Sequence, residues 1–265
     1  MENLIQYFEN IPSLHRSIIL VGGITLFWLI EGLVPTRKLA YKKWRHALPN
    51  FFLAFLLLNT ADWTQANGFG LLHIFALPLW LYVVLGVLLL DFIGAYLAHL
   101  VEHKIKPLWM VHLVHHSDHH VDTTTANRHH PLESLVRFSF TLVAVFILGT
   151  PIGVVMLYQS LSVVLSQFNH ANINLPTRLD QWLSYVLVTP HMHKVHHHHV
   201  LPYTDSNFGN IFAIWDRLFG TYKNLDAARI IYGVDVFPNE DENSRVGSLL
   251  SQPFQPYRKP TTQAQ

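Results

Sequence analysis

The chain has 265 residues, 50% of them hydrophobic and only 13% charged, a balance too apolar for a soluble domain of this size unless much of its surface faces lipid. A formal net charge of +1 gives no sign of a nucleic-acid partner, and the lack of cysteine excludes disulfides, thiolate metal sites and thiol nucleophiles. Histidine is the outlier: there are 19, against 18 Lys and Arg together, and most lie between His99 and His199.

The first apolar run, 17–34, is as long as a membrane span requires, carries Glu31 and is closed by Pro35. It reads as a retained first transmembrane helix, because no basic start precedes it and no small-residue cleavage site follows it. Arg37, Lys38, Lys42, Lys43 and Arg45 come next, and the positive-inside rule makes this basic loop cytoplasmic. A second apolar run covers 48–61. Residues 62–70, free of Lys and Arg and holding the turn formers Asn67 and Gly68, suit a short outer loop before a third run, 71–97. That run delivers His99 and His103. After a histidine-dense polar stretch, the runs 135–148 and 152–168 flank Gly149, Thr150 and Pro151 as a helical hairpin.

Counting crossings puts the amino terminus and the 149–151 turn outside and every clustered histidine on the cytoplasmic side. The expected architecture is all-α: a polytopic membrane bundle of about four to five spans with a cytoplasmic, histidine-rich helical cap. Residues 1–252 form the membrane domain, with a metal-binding core over 91–221, and 253–265 read as a disordered Pro/Gln-rich tail.

His99 and His103 are four apart, so on a helix both imidazoles face one metal. His112, His115 and His116 repeat the logic at i, i+3 and i+4, and so do His193, His196 and His197. With His170 these make nine candidate ligands, too many for one tetrahedral zinc and suited to two metal ions with positions open for O₂. Spacing leaves the register open, since His116, His119 and His120 form the same pattern and His198 and His199 extend the last group. His15, His46 and His73 read as surface or interfacial residues. An all-imidazole set leaves a metal pair strongly electron-withdrawing, which fits demanding oxidation. Asp91, eight residues before His99 and inside the third run, is expected to orient a ligand imidazole, since a carboxylate at membrane depth is costly.

The stretches Asp91 to His103 (DFIGAYLAHLVEH), Leu108 to Asp118 (LWMVHLVHHSD), Arg128 to Glu133 (RHHPLE), Phe168 to Pro176 (FNHANINLP), Thr189 to His197 (TPHMHKVHH) and Asn207 to Thr221 (NFGNIFAIWDRLFGT) resemble the fatty acid hydroxylase superfamily, also called the sterol desaturase family. They run in that family's order over about half the chain. The resemblance implies the register His112, His115, His116 and His193, His196, His197, with His99, His103 and His170 completing the site, and iron as the metal. It also implies that His130 stands beside the ligands or on the substrate side, and that Asn174 takes a position where some relatives carry another histidine. Leu100 departs from the pattern, since many relatives have Arg there.

The expected activity is O₂-dependent hydroxylation or desaturation of a lipid C–H by two iron ions, with electrons from a separate donor protein. The alternative is a zinc-dependent membrane hydrolase. Against it, the HExxH spacing is not met, and Glu102 beside His103 is the nearest carboxylate.

Overall fold

In the computed structural model the described residues are 43–259 and the single position 15, with backbone alone at 43–51 and 54. The chain divides into two compact units, Met1–Phe52 and Leu53–Gln265. The first apolar run and the basic residues before Lys43 lie outside the described residues. Helix α1, Lys43–Ala66, covers the second run and crosses the unit boundary.

Everything that positions the site lies in the second unit. Three helices among the described residues are long and apolar enough to cross a membrane. The first, Leu79–Lys104, consists of α2 (Leu79–Asp91), a π-helical segment (Phe92–Leu97) and α3 (Ala98–Lys104). The third run is expected to start at residue 71, but the helix starts at Leu79, after a 3-10 turn at Leu71–His73, because Pro78 sits at its N-cap. The other two are α5, Pro131–Leu148, and α6, Ile152–His170, joined as expected through Gly149, Thr150 and Pro151. No named strand occurs among the described residues. A single antiparallel bridge, Leu187 to Phe212, ties two cap loops together.

Small residues set how closely the spans approach. In the π segment, a Cβ on Gly94 would stand 3.3 Å from both Thr141 Oγ1 and Tyr158 Oη, so α5 and α6 pack directly against this turn. At the far end of the bundle Gly149 adopts φ +70, and its carbonyl accepts hydrogen bonds from Tyr82 Oη (2.9 Å) and from Gln65 Nε2. His73, read as a surface residue, is half-buried with its Nε2 3.0 Å from the same oxygen. The loop before α2 and the α5–α6 turn therefore sit together, at one end of the spans. A Cβ on Gly149 would collide with the Phe69 carbonyl in a backbone conformation that disfavours L side chains. Gly149→Ala is expected to destabilise the fold by more than about 2 kcal/mol, read as a lower thermal midpoint in detergent.

The remaining helices are too short to span a membrane and are called the cap: α4 (Lys106–His116), α7 (Thr177–Leu183), α8 (Pro190–His196), α9 (Ile214–Leu218), α10 (Glu240–Ser244) and α11 (Val246–Ser251). Within the segment read as a tail, three of the described residues make side-chain contacts. The Phe254 ring lies 6.1 Å from that of His130, Lys106 sits over the Tyr257 ring, and Arg258 pairs with Glu242 at 2.8 Å.

Candidate metal centre

Local sequence fixes where each histidine-bearing helix begins. Thr189 caps α8 by accepting from Met192 N, and Pro190 occupies the first turn, where its missing N–H costs nothing. In α4, Pro107 plays the same part, and the helix closes at Ser117, whose N–H bonds the Leu113 carbonyl. That stop takes His119 and His120 off the face shared by His112, His115 and His116.

All nine candidate ligands converge, in two groups. His99, His103, His112, His116 and His196 form one; His115, His170, His193 and His197 form the other, the ligand atoms within each lying no more than 4.8 Å apart. The division cuts across the helices. From α4, the i and i+4 residues His112 and His116 join the first group while His115 turns to the second. From α8 and its C-cap, His193 and His197 join the second and His196 crosses to the first. His119, His120, His198 and His199 fall outside both.

The protonation pattern suits metal binding. His99 Nδ1 lies 2.8 Å from the Phe208 carbonyl and His112 Nδ1 2.7 Å from Glu133 Oε1. Those oxygens accept, so both rings carry their hydrogen on Nδ1 and turn bare Nε2 lone pairs toward each other, 3.0 Å apart. Two facing lone pairs repel unless a cation lies between them. His170 Nδ1 donates likewise to the Ser166 carbonyl (2.7 Å), leaving its Nε2 3.1 Å from His115 Nε2 and 2.9 Å from His193 Nε2. His196 Nδ1 donates to the Ser206 carbonyl at 2.6 Å, and its Nε2 meets no protein partner.

Burial, reinforced by neighbouring imidazoles, holds His115, His116, His193 and His197 well below the ordinary histidine pKa, and burial takes His196 to about 3. They stay neutral near neutral pH, as ligands must. In the unfolded chain each takes a proton below about pH 6.5. A depressed histidine pKa therefore gives stability that is full above that value and lost as pH falls. The metal-free protein is expected to lose about 1.4 kcal/mol per pH unit for each such histidine below pH 6.5, measurable as a falling thermal midpoint.

The remaining predicted residues stand elsewhere. Asp91, expected to orient an imidazole, accepts from Ile211 N and Phe212 N (both 3.2 Å) and Trp215 Nε1 (3.1 Å), and so anchors a cap loop to the first span. Eight helical residues, roughly 12 Å of rise, separate it from His99. His130 caps α5, its Nδ1 accepting from Leu132 N, and its Nε2 faces the Leu250 carbonyl, 3.3 Å away. Asn174 is exposed on the cap and lies in neither group. Glu133 was missed as an orienting residue. It stands in RHHPLE, in the first turn of α5, where it also meets His129 Nδ1 at 2.7 Å and Arg137 Nε at 3.1 Å. Its signal was a carboxylate in a membrane helix three residues after a histidine.

The loop that anchors on Asp91 is built by Asn207 to Thr221. Asn207 adopts φ 53 and gives its side-chain amide to the Met192 and Lys223 carbonyls, both at 2.9 Å. Asp216 accepts from Phe208 N (2.7 Å), Gly209 N (2.8 Å) and Thr221 Oγ1 (2.7 Å), while burial pushes its pKa up to about 6. This brings the Phe208 carbonyl to His99.

A family model described as fatty acid hydroxylase matches residues 83–221, a span that holds all nine histidines. The chain belongs to the fatty acid hydroxylase family. It is similar to the ornithine lipid hydroxylase OlsE of Rhizobium tropici, 30% identical over 147 residues, 56% of this chain and 43% of that protein. Human alkylglycerol monooxygenase is 28% identical over 247 residues, 88% of this chain and 52% of its own length. A cholesterol 25-hydroxylase-like protein of Danio rerio is 31% identical over 138 residues, 51% of this chain and 53% of its own. The chain thus spans about half the length of these curated relatives. No solved structure matches it.

Proposed function

We propose that the chain is a membrane-embedded, non-haem di-iron oxidoreductase that uses O₂ to hydroxylate or desaturate a C–H position of a lipid. The observation that carries this reading is the division of nine buried imidazoles into groups of five and four, with shared helices holding the two together. His99, His103, His112, His116 and His196 would hold one ion, and His115, His170, His193 and His197 the other. Two ferrous ions bound there would supply the reductive activation of O₂ that oxidation of an unactivated carbon requires.

The chain's own residues set the conditions. Glu133 and the carbonyls of Phe208, Ser166 and Ser206 hold the Nδ1 protons, which keeps each Nε2 free and aimed. The cap keeps bulk water from the ligand rings, which are nearly all inaccessible. The lipid comes from the bilayer between the spans, the histidines face the cytoplasm, and a separate protein delivers electrons. Relatives named for lipid hydroxylation support a lipid as the substrate class.

The hydrolase reading needs a carboxylate free to act as base beside a metal-bound water. Glu102 is instead paired with Arg137 at 2.9 Å, which argues against it. The test is metal content and product formation by protein purified anaerobically in detergent after expression with iron. About two irons per chain and oxidised lipid that forms only with O₂ are expected. Zinc alone, with no O₂-dependent product, would sink the proposal.

A further inference from the structure

Between the first span, α5 and α6 lies a cavity of about 420 Å³. It abuts the four-histidine group. His129 on its wall stacks on His115 with ring centroids 4.8 Å apart, and Ser166, also on the wall, is the residue whose carbonyl holds His170.

The α6 side of the wall is polar. Gln159, Ser162 and Ser166 stand at i, i+3 and i+7, one face rising about 10 Å, with Gln167 beside them and Ser134 contributed by α5. Asn210 Nδ2 donates to Ser162 Oγ at 2.8 Å, whereas the side chains of Gln159, Gln167 and Ser134 make no hydrogen bond among the described residues. All three side chains are exposed and open to a polar group of a ligand, and an acyl tail offers them nothing.

Charge narrows the occupant. The one Lys or Arg on this wall among the described residues, Arg137, is already matched by two carboxylates, Glu102 at 2.9 Å and Glu133 at 3.1 Å. Glu133 also takes the Nδ1 of His129, and the rest of the polar lining is uncharged. An anionic group entering here would find that cation already neutralised by carboxylates buried behind it, and no other Lys or Arg on the wall among the described residues.

Resting on the lipid-oxygenase reading, we propose that this cavity seats the uncharged hydrogen-bonding head of the lipid substrate, a hydroxyl or an amide. Gln159, Gln167 and Ser134 are its direct partners, and heads bearing phosphate or carboxylate are turned away.

The test uses the full-length, iron-loaded protein in detergent and a hexadecylglycerol probe with a diazirine in its alkyl chain. Photo-crosslinking to residues 131–170 is mapped by peptide mass, in competition with hexadecylglycerol, its phosphate monoester and hexadecanoate. Hexadecylglycerol is expected to compete at least about tenfold better than either anion. Gln159→Leu should weaken its competition about tenfold, and Gln159→Arg should turn the preference toward the phosphate monoester. Equal competition by all three lipids, or no change in either variant, overturns the proposal. The readout is binding and needs no turnover, so crosslinking with this selectivity but no O₂-dependent product would support the cavity assignment and count against the oxygenase reading.

Discussion

Alanine at His170 is expected to leave about one metal per chain and to lower lipid oxidation roughly a thousandfold or more. Alanine at His103 should keep both metals at saturating iron. The asymmetry follows from the two groups. His170 belongs to the group of four, with its Nε2 between those of His115 and His193, and its loss leaves that group three imidazoles and no central one. His103 is one of five, and its removal leaves four. It is also loosely oriented, since its Nδ1 is 3.9 Å from Asp205 Oδ1, beyond hydrogen-bond distance. Metal content after dialysis, with oxidation of the same lipid measured in parallel, reads both variants. Equal loss of metal in the two would rule out the five-and-four division.

The histidines are legible in the sequence because helical spacing is local physics: i, i+3 and i+4 share a face wherever the helix lies. What spacing could not supply is which group each ring joins. His115 and His116 are adjacent in sequence and yet join different groups, because that choice is made by the position of α4 between the first span and α8. Spacing likewise left open whether His112, His115 and His116 or His116, His119 and His120 form the group; the family resemblance implied the first, and the helix closes at Ser117.

The spans show the same divide. The hairpin of α5 and α6 was plain from two apolar runs broken by Gly, Thr and Pro, and both helices match it closely. The start of the first span was not, since Leu71 to Leu77 is apolar enough to continue the helix and only Pro78 delays it. The partners that hold the rings were hidden for a different reason. Three of them are backbone carbonyls, of Phe208, Ser166 and Ser206, and a carbonyl has no letter in the sequence.

Asp91 is where the second large effect is expected, and its hydrogen bonds run to a loop rather than to a ligand imidazole. Asp91→Leu removes the acceptor for Ile211 N, Phe212 N and Trp215 Nε1, leaving three donors stranded in a fully buried place. At about 1–3 kcal/mol for each unsatisfied donor, and allowing for relaxation, the loss should reach roughly 3–6 kcal/mol. The same loop carries Phe208, whose carbonyl fixes His99, so metal affinity in the five-histidine group should fall along with stability. Asp91→Asn keeps one carbonyl oxygen and turns an amide toward the other donors, so its effect should be intermediate. The decisive measurement is the thermal midpoint of the metal-free protein in detergent. A residue that acted by orienting a ligand imidazole would leave that midpoint nearly unchanged and show itself only in metal affinity. A loop anchor lowers the midpoint before any metal is added, with Leu below Asn and Asn below the parent.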